Sequence, residues 1–150
     1  MTLREHTIQA AVGSTIMAPF LGVDTLILFV SMILIDIDHY FDYVFVCRRF
    51  DIKGMFKFHD FVCKNRESVY GFSLFHTVEV FSLFFILGFW SYYFWIILSG
   101  FLVHFIFDIY DLYVGNALFS RAFSIIEYVI FRKKGVRGYP ALPYGFWEKV

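Results

Sequence analysis

Long apolar runs separated by short basic stretches organise this chain, and four runs can be read. The first extends from about Thr7 to Val23, interrupted by Pro19 and Gly22. The second runs from about Asp24 to Val46, the third from about Val69 to Phe89 and the fourth from about Tyr92 to Val114. A helix crosses the hydrocarbon layer in roughly 20 residues, so three runs are long enough and the first is short. In lipid every backbone polar group must be paired internally, which makes helices the reading for runs of this length. After the fourth run, Leu118 to Phe131 is apolar but punctuated by Arg121 and Glu127, and it ends in Arg132, Lys133 and Lys134. This pattern predicts an amphipathic helix, either lying on the inner leaflet or packed on the end of a bundle. From Gly135 through Pro140 and Pro143 the tail reads as irregular.

The expected fold class is therefore all-α: an integral membrane four-helix bundle with a C-terminal interfacial amphipathic helix. Its parts are a four-span membrane domain over 1–116, with a basic loop at 47–68, the interfacial helix over 117–134 and the tail over 135–150. Composition strengthens the membrane reading. Of 150 residues, 59% are hydrophobic and 23% aromatic, with 22 Phe and 10 Tyr; 17% are charged and the mean hydropathy is +0.66. Ordinary soluble domains are about 45–50% apolar and about 25% charged, so the excess suits a lipid-facing surface better than an oversized core.

The net charge of zero, from 13 basic and 13 acidic residues, conceals a segregation. No Lys or Arg occurs between Glu5 and Cys47 or between Glu67 and Ser120, yet these stretches hold Glu5, Asp24, Asp36, Asp38, Asp42, Glu67, Glu79, Asp108 and Asp111. The basic residues collect between runs two and three (Arg48, Arg49, Lys53, Lys57, Lys64, Arg66) and in the tail, whereas the Trp90–Tyr93 turn is uncharged. By the positive-inside rule both basic regions and both termini are cytoplasmic, in an inner (plasma) membrane protein. The basic residues form no stripe with base-stacking aromatics and the pI is near 7, which argues against nucleic-acid binding. Cys47 and Cys63 are too few for a disulfide framework or a zinc knuckle and read as free thiols facing the cytoplasm. A cleaved signal peptide is not expected, because the first run lacks a small-x-small cleavage site.

Carboxylates in apolar sequence without basic partners must find a metal, a proton or water. Here they accompany histidines at helical spacing: Asp36 with His39, His76 with Glu79, and His104 with Asp108, while Asp38 adjoins His39 and His6 opens the first run. Residues three and four apart share a helix face. At 1.5 Å per residue the pairs on the second to fourth runs fall about 9–15 Å from the inner ends of their helices. His6, Asp36, Asp38, His39, His76, Glu79, His104 and Asp108 are accordingly the candidate ligands for one or two divalent ions. Imidazole and carboxylate donors suit zinc, manganese or iron, and without thiolates the ligand type does not choose among them; zinc is the foremost expectation. Asp42 and Asp111 read as outer partners of the site or head-group neighbours, His59 as a solvated residue, and Asp24 as the N-cap before Thr25.

These motifs resemble those of the membrane-bound metal-dependent hydrolases of the LexA-binding, inner-membrane-associated type, a family similar in turn to the zinc-dependent phospholipase C and single-strand nuclease superfamily. The resemblance rests on His6 in Arg4-Glu5-His6-Thr7, on Asp36-Ile37-Asp38-His39, on Phe75-His76-Thr77, and on His104 followed by Asp108, in order over residues 4 to 111. It departs at Phe72-Ser73-Leu74-Phe75, where the family usually carries His-Arg; the guanidinium expected to grip a phosphoryl group is missing there. The resemblance implies a hydrolase without naming a substrate; a site about 10 Å below the inner surface suits a phosphoester or acyl bond of a membrane lipid or lipid-linked substrate at the inner leaflet. Asp36 or Glu79 would accept the proton of the attacking water. Two other functions use the same residues: a non-catalytic assembly protein stapled by a buried metal, and a small ion or proton transporter. Homo-oligomerisation is left open by the sequence.

Overall fold

In the computed structural model the first two apolar runs form nearly continuous helix that turns back on itself. The structure describes residues 3–65, 69–136 and 138–148, with side chains from Glu5 onward; Arg66, Glu67, Arg137 and Lys149 of the charge pattern, and the side chain of Arg4, lie outside the described residues. Helix α1 (Leu3–Leu21) contains Pro19 in its last turn and gives way to a 3-10 turn, Gly22–Asp24, in which Gly22 takes a positive φ of 55°. That left-handed conformation costs a glycine little. The chain can therefore reverse within three residues, and α2 (Thr25–Leu34) packs back along α1. Asp24 stands at the expected N-cap position before Thr25, but at φ −68° its side chain makes no capping bond and accepts a hydrogen bond from Tyr92 instead.

The helix breaks at Ile35–Asp36 and resumes as α3 (Ile37–Cys47). Arg48, in the left-handed region at φ 55°, ends α3. The segment expected as a basic loop is largely a helix, α4 (Ile52–Lys64), because Asp51 caps it: its carboxylate accepts from Gly54 N at 2.6 Å, from the Tyr43 hydroxyl at 2.6 Å and from Arg49 Nε at 3.0 Å. The cap thus ties α4 to α3 as well as starting it.

The third run differs most from expectation. Only its second half is helical, as α5 (Val78–Gly88). Upstream, Gly71–Phe72 (β1) pairs in parallel with Arg121–Ala122 (β2), with Gly71 opposite Arg121, and a 3-10 turn follows at Leu74–His76. Backbone bonds from Gly71 N to Ser120 O at 2.8 Å and from Val78 N to Phe123 O at 2.9 Å show why: these groups are satisfied by a distant segment. Apolarity does not distinguish that solution from a helix. The same pairing shortens the expected 117–134 helix to α7 (Ile125–Lys133), whose N-cap Ser124 accepts from Ile126 N and Glu127 N.

Helix α6 (Tyr92–Val114) packs on both α5 and α2, so the two helical hairpins meet at the α2–α6 contact. Gly100 allows this approach: a Cβ there would lie 2.0 Å from Ser31 Oγ and 3.1 Å from the Leu28 carbonyl. A small core of Ala10, Leu28, Met32 and Ile96 fills the space between α1, α2 and α6. The chain is mostly helical, and two helical stretches, Glu5–Cys47 and Tyr92–Val114, are long and apolar enough to cross a membrane; α5, at 11 residues, is shorter.

Candidate metal centre

Polar side chains converge where the α2–α3 break meets the lower half of α6 and the turn before α5. Asp36 comes from the break, His76 from the 3-10 turn, and His104 and Asp108 from successive turns of α6. His76, His104 and Asp108 are buried, and Asp36 is nearly so. One donor atom from each lies within 4.8 Å of all the others. His104 Nε2 is 3.2 Å from Asp36 Oδ1 and 3.7 Å from Asp108 Oδ2, while His76 Nε2 is 3.3 Å from Asp108 Oδ2 and 4.0 Å from Asp36 Oδ1. Donors about 2.0–2.2 Å from one tetrahedral ion lie roughly 3.4 Å from one another.

The outer face of each imidazole is fixed. His104 Nδ1 donates to the Met32 carbonyl at 2.8 Å, and His76 Nδ1 donates to Asp38 Oδ2 at 3.0 Å. In its neutral form each ring carries its proton outward and leaves the Nε2 lone pair facing inward, the arrangement in which histidine binds a metal. Asp38, 2% exposed, also accepts from Phe75 N at 3.1 Å, so it holds both the ring and the turn that presents it. Asp36 Oδ1, His76 Nε2 and His104 Nε2 have no hydrogen-bond partner among the described residues. Buried polar atoms left this way cost free energy, which a cation held among them would offset. The cluster can hold a metal ion.

The remaining candidates are distributed around this centre. His6 stacks on His104 with ring centroids 4.5 Å apart and places Nδ1 3.6 Å from Asp36 Oδ2. His39, half-buried, has Nε2 3.4 Å from Asp36 Oδ1. Glu79 is turned to the start of α7, where its carboxylate accepts from Ser124 Oγ at 2.5 Å and Ile125 N at 3.0 Å. Asp42 accepts from the Tyr139 hydroxyl at 2.8 Å; burial and the nearby Asp42 carboxylate push that phenol well above its ordinary range.

Three residues join the site that the sequence pattern did not place there. Arg121, buried on β2, donates to Asp108 Oδ2 at 2.9 Å, so it neutralises one carboxylate from outside the cluster. A basic residue inside an otherwise apolar run was its only signal. His59 and Tyr139 line a cavity of about 100 Å³ beside the cluster, together with His6, His39 and Asp108. His59 on α4 faces His39, with ring centroids 4.7 Å apart, and nothing in its local sequence announces that neighbour. Searches with this chain match no family model, no curated protein and no solved structure.

Proposed function

We propose that this protein is a membrane-embedded metal-dependent hydrolase acting at the inner leaflet on a phosphoester or acyl bond of a lipid or lipid-linked substrate. The observation that carries the reading is the buried cluster of Asp36, His76, His104 and Asp108, with inward lone pairs fixed by outward hydrogen bonds. A divalent ion held there would supply Lewis acidity toward a phosphoryl or acyl oxygen. Asp38 and the Met32 carbonyl hold the two histidines, and Arg121 holds Asp108. Asp36 is the base in this reading, and half-exposed His39, 3.4 Å away, exchanges its proton with the adjoining cavity.

The lipid setting is supported by an inverted distribution of polarity. Phe20, Val23, Ile86, Phe89 and Trp90 are each at least 65% exposed, whereas His76, His104 and Asp38 are buried. The four packed helices α1, α2, α5 and α6 are read as a membrane bundle with the basic segments cytoplasmic. One observation favours a second reading, a metal staple without catalysis: four protein donors are enough to close a tetrahedral shell.

Metal analysis of the detergent-purified chain, prepared without chelators, tests the site. Stoichiometric zinc, manganese or iron is expected in the wild type and its loss in His104→Ala; a metal-free wild type sinks the proposal. Incubation with membrane lipid extracts then divides the readings. Release of phosphate or fatty acid, abolished in His104→Ala, is expected of the hydrolase, and metal without release assigns the staple.

A further inference from the structure

We propose that the groove between α4 and the α2–α3 break is a binding site for an acyl chain of an anionic glycerophospholipid, which enters it sideways from the inner leaflet. This rests on the lipid-substrate reading and deepens it, by assigning where the hydrocarbon of that substrate lies.

The sequence of α4 builds one wall. Ile52, Met55, Phe56 and His59 recur at intervals of three and four, so they form one stripe of the helix. All four line a groove of about 550 Å³, together with Leu34, Ile37 and Tyr40 from the other side of the break. That size falls within the range of about 300–1,000 Å³ usual for small-molecule sites. The two walls are tied together. The Tyr40 hydroxyl donates to the Phe50 carbonyl at 3.0 Å, and the Asp51 carboxylate joins Tyr43 on α3 to the start of α4.

The polarity of this groove changes with depth. On its rim Leu34, Ile37, Phe50, Ile52 and Phe56 are between 43% and 72% exposed. On its floor the side chains of His6, Asp36 and His39 are 6%, 15% and 25% exposed. An apolar rim that descends to Asp36 of the buried cluster fits an amphiphile, with hydrocarbon along the rim and the polar bond at the floor. His6, His39 and His59 line both this groove and the cavity of about 100 Å³, so the polar end of the ligand meets a second, polar compartment. The mouth also names the source of the chain. Phe50 and Ile52 are interleaved with exposed Arg48 and Lys53. Apolar side chains among basic ones suit a segment seated in the head-group layer of an anionic leaflet. The rim is then continuous with the acyl region, and a lipid chain reaches the floor without crossing water.

Phosphatidylglycerol carrying a diazirine at the end of one acyl chain is the probe, photolysed with the detergent-purified full chain at rising concentration. Saturable labelling of residues 33–40 and 50–59, competed by unlabelled phosphatidylglycerol, is expected. Ile52→Asp places a charge on the exposed rim, and Met55→Trp fills the groove. Each should weaken the saturable labelling by about tenfold or more, with helical content and metal stoichiometry unchanged. Ile86→Trp, on the exposed face of α5, should label as the wild type does. Labelling that rises in proportion to the probe without competition, as bulk lipid gives, overturns the proposal, and so does saturable labelling that survives both Ile52→Asp and Met55→Trp. The hydrolase reading fails separately. Saturable labelling without release of phosphate or fatty acid keeps the groove and removes the hydrolysis, whereas release with only unsaturable labelling keeps the hydrolysis and removes the groove.

Discussion

Two aspartates separated by one residue do different work. Asp36, in the helix break, turns an unpartnered oxygen to the centre, whereas Asp38, in the first turn of α3, spends its Oδ2 on His76 Nδ1 and Phe75 N. Outer carboxylates of this kind orient the ring and raise its basicity, and their loss typically costs about 10–100-fold in metal affinity. Asp38→Asn should weaken metal binding in that range by chelator competition, with the helical content unchanged; an unaltered affinity would deny Asp38 the orienting role. Spacing in the sequence made Asp36, His104 and Asp108 legible because all three sit on or beside helix, where intervals of three and four mean one face. It misplaced Glu79 for the same reason. His76 precedes α5 in a 3-10 turn and Thr77 is extended at ψ 149°, so the interval of three does not align the two side chains. Arg121, His59 and Tyr139 reach the site through tertiary pairing, which no local interval encodes.

At the level of elements, the site depends on two junctions. The α2–α6 contact brings the Asp36 break against His104, and Gly100 sets its closeness. Gly100→Ala should cost about 1–3 kcal/mol, the usual range for forcing a group into a packed contact. Thermal unfolding in detergent measures it, and adding Ser31→Ala should recover part of the loss by removing the nearest atom. The second junction is the Asp51 cap. The Tyr43 hydroxyl and Arg49 hold this carboxyl down to about 2, below the ordinary carboxylate value. A depressed folded-state pKa means stabilisation that is fully present above about pH 4 and is lost as the pH falls toward 2. Amide exchange in α4 should accelerate across that window, and Asp51→Asn should flatten the dependence; an acid-insensitive α4 in the wild type would remove the cap from the account. The helix itself escaped the charge-based reading, because its six neighbouring basic residues marked the segment as hydrophilic without revealing its shape.

Across the whole molecule, polarity is turned inside out. One apolar cluster gathers Ala10, Leu28, Met32 and Ile96, other buried apolar side chains such as Tyr43, Phe58 and Phe101 lie outside it, and large apolar side chains such as Ile106 and Phe119 stand on the surface. Hydropathy made this exterior legible in advance, and charge segregation foretold the polar interior. What neither conveyed was closure of the bundle's end by β1 and β2, since a two-residue parallel pair needs only backbone groups brought into register. That pairing has a temporal consequence. The four clustered residues are spread between positions 36 and 108, and the segment that clamps both Asp108 and the strand ahead of His76 is not reached until Arg121. During synthesis the centre stays incomplete until the chain has been made past Arg121. A truncated product would leave these aspartates and histidines unmatched, and an ion that binds only the finished arrangement would act as a late latch on the completed fold.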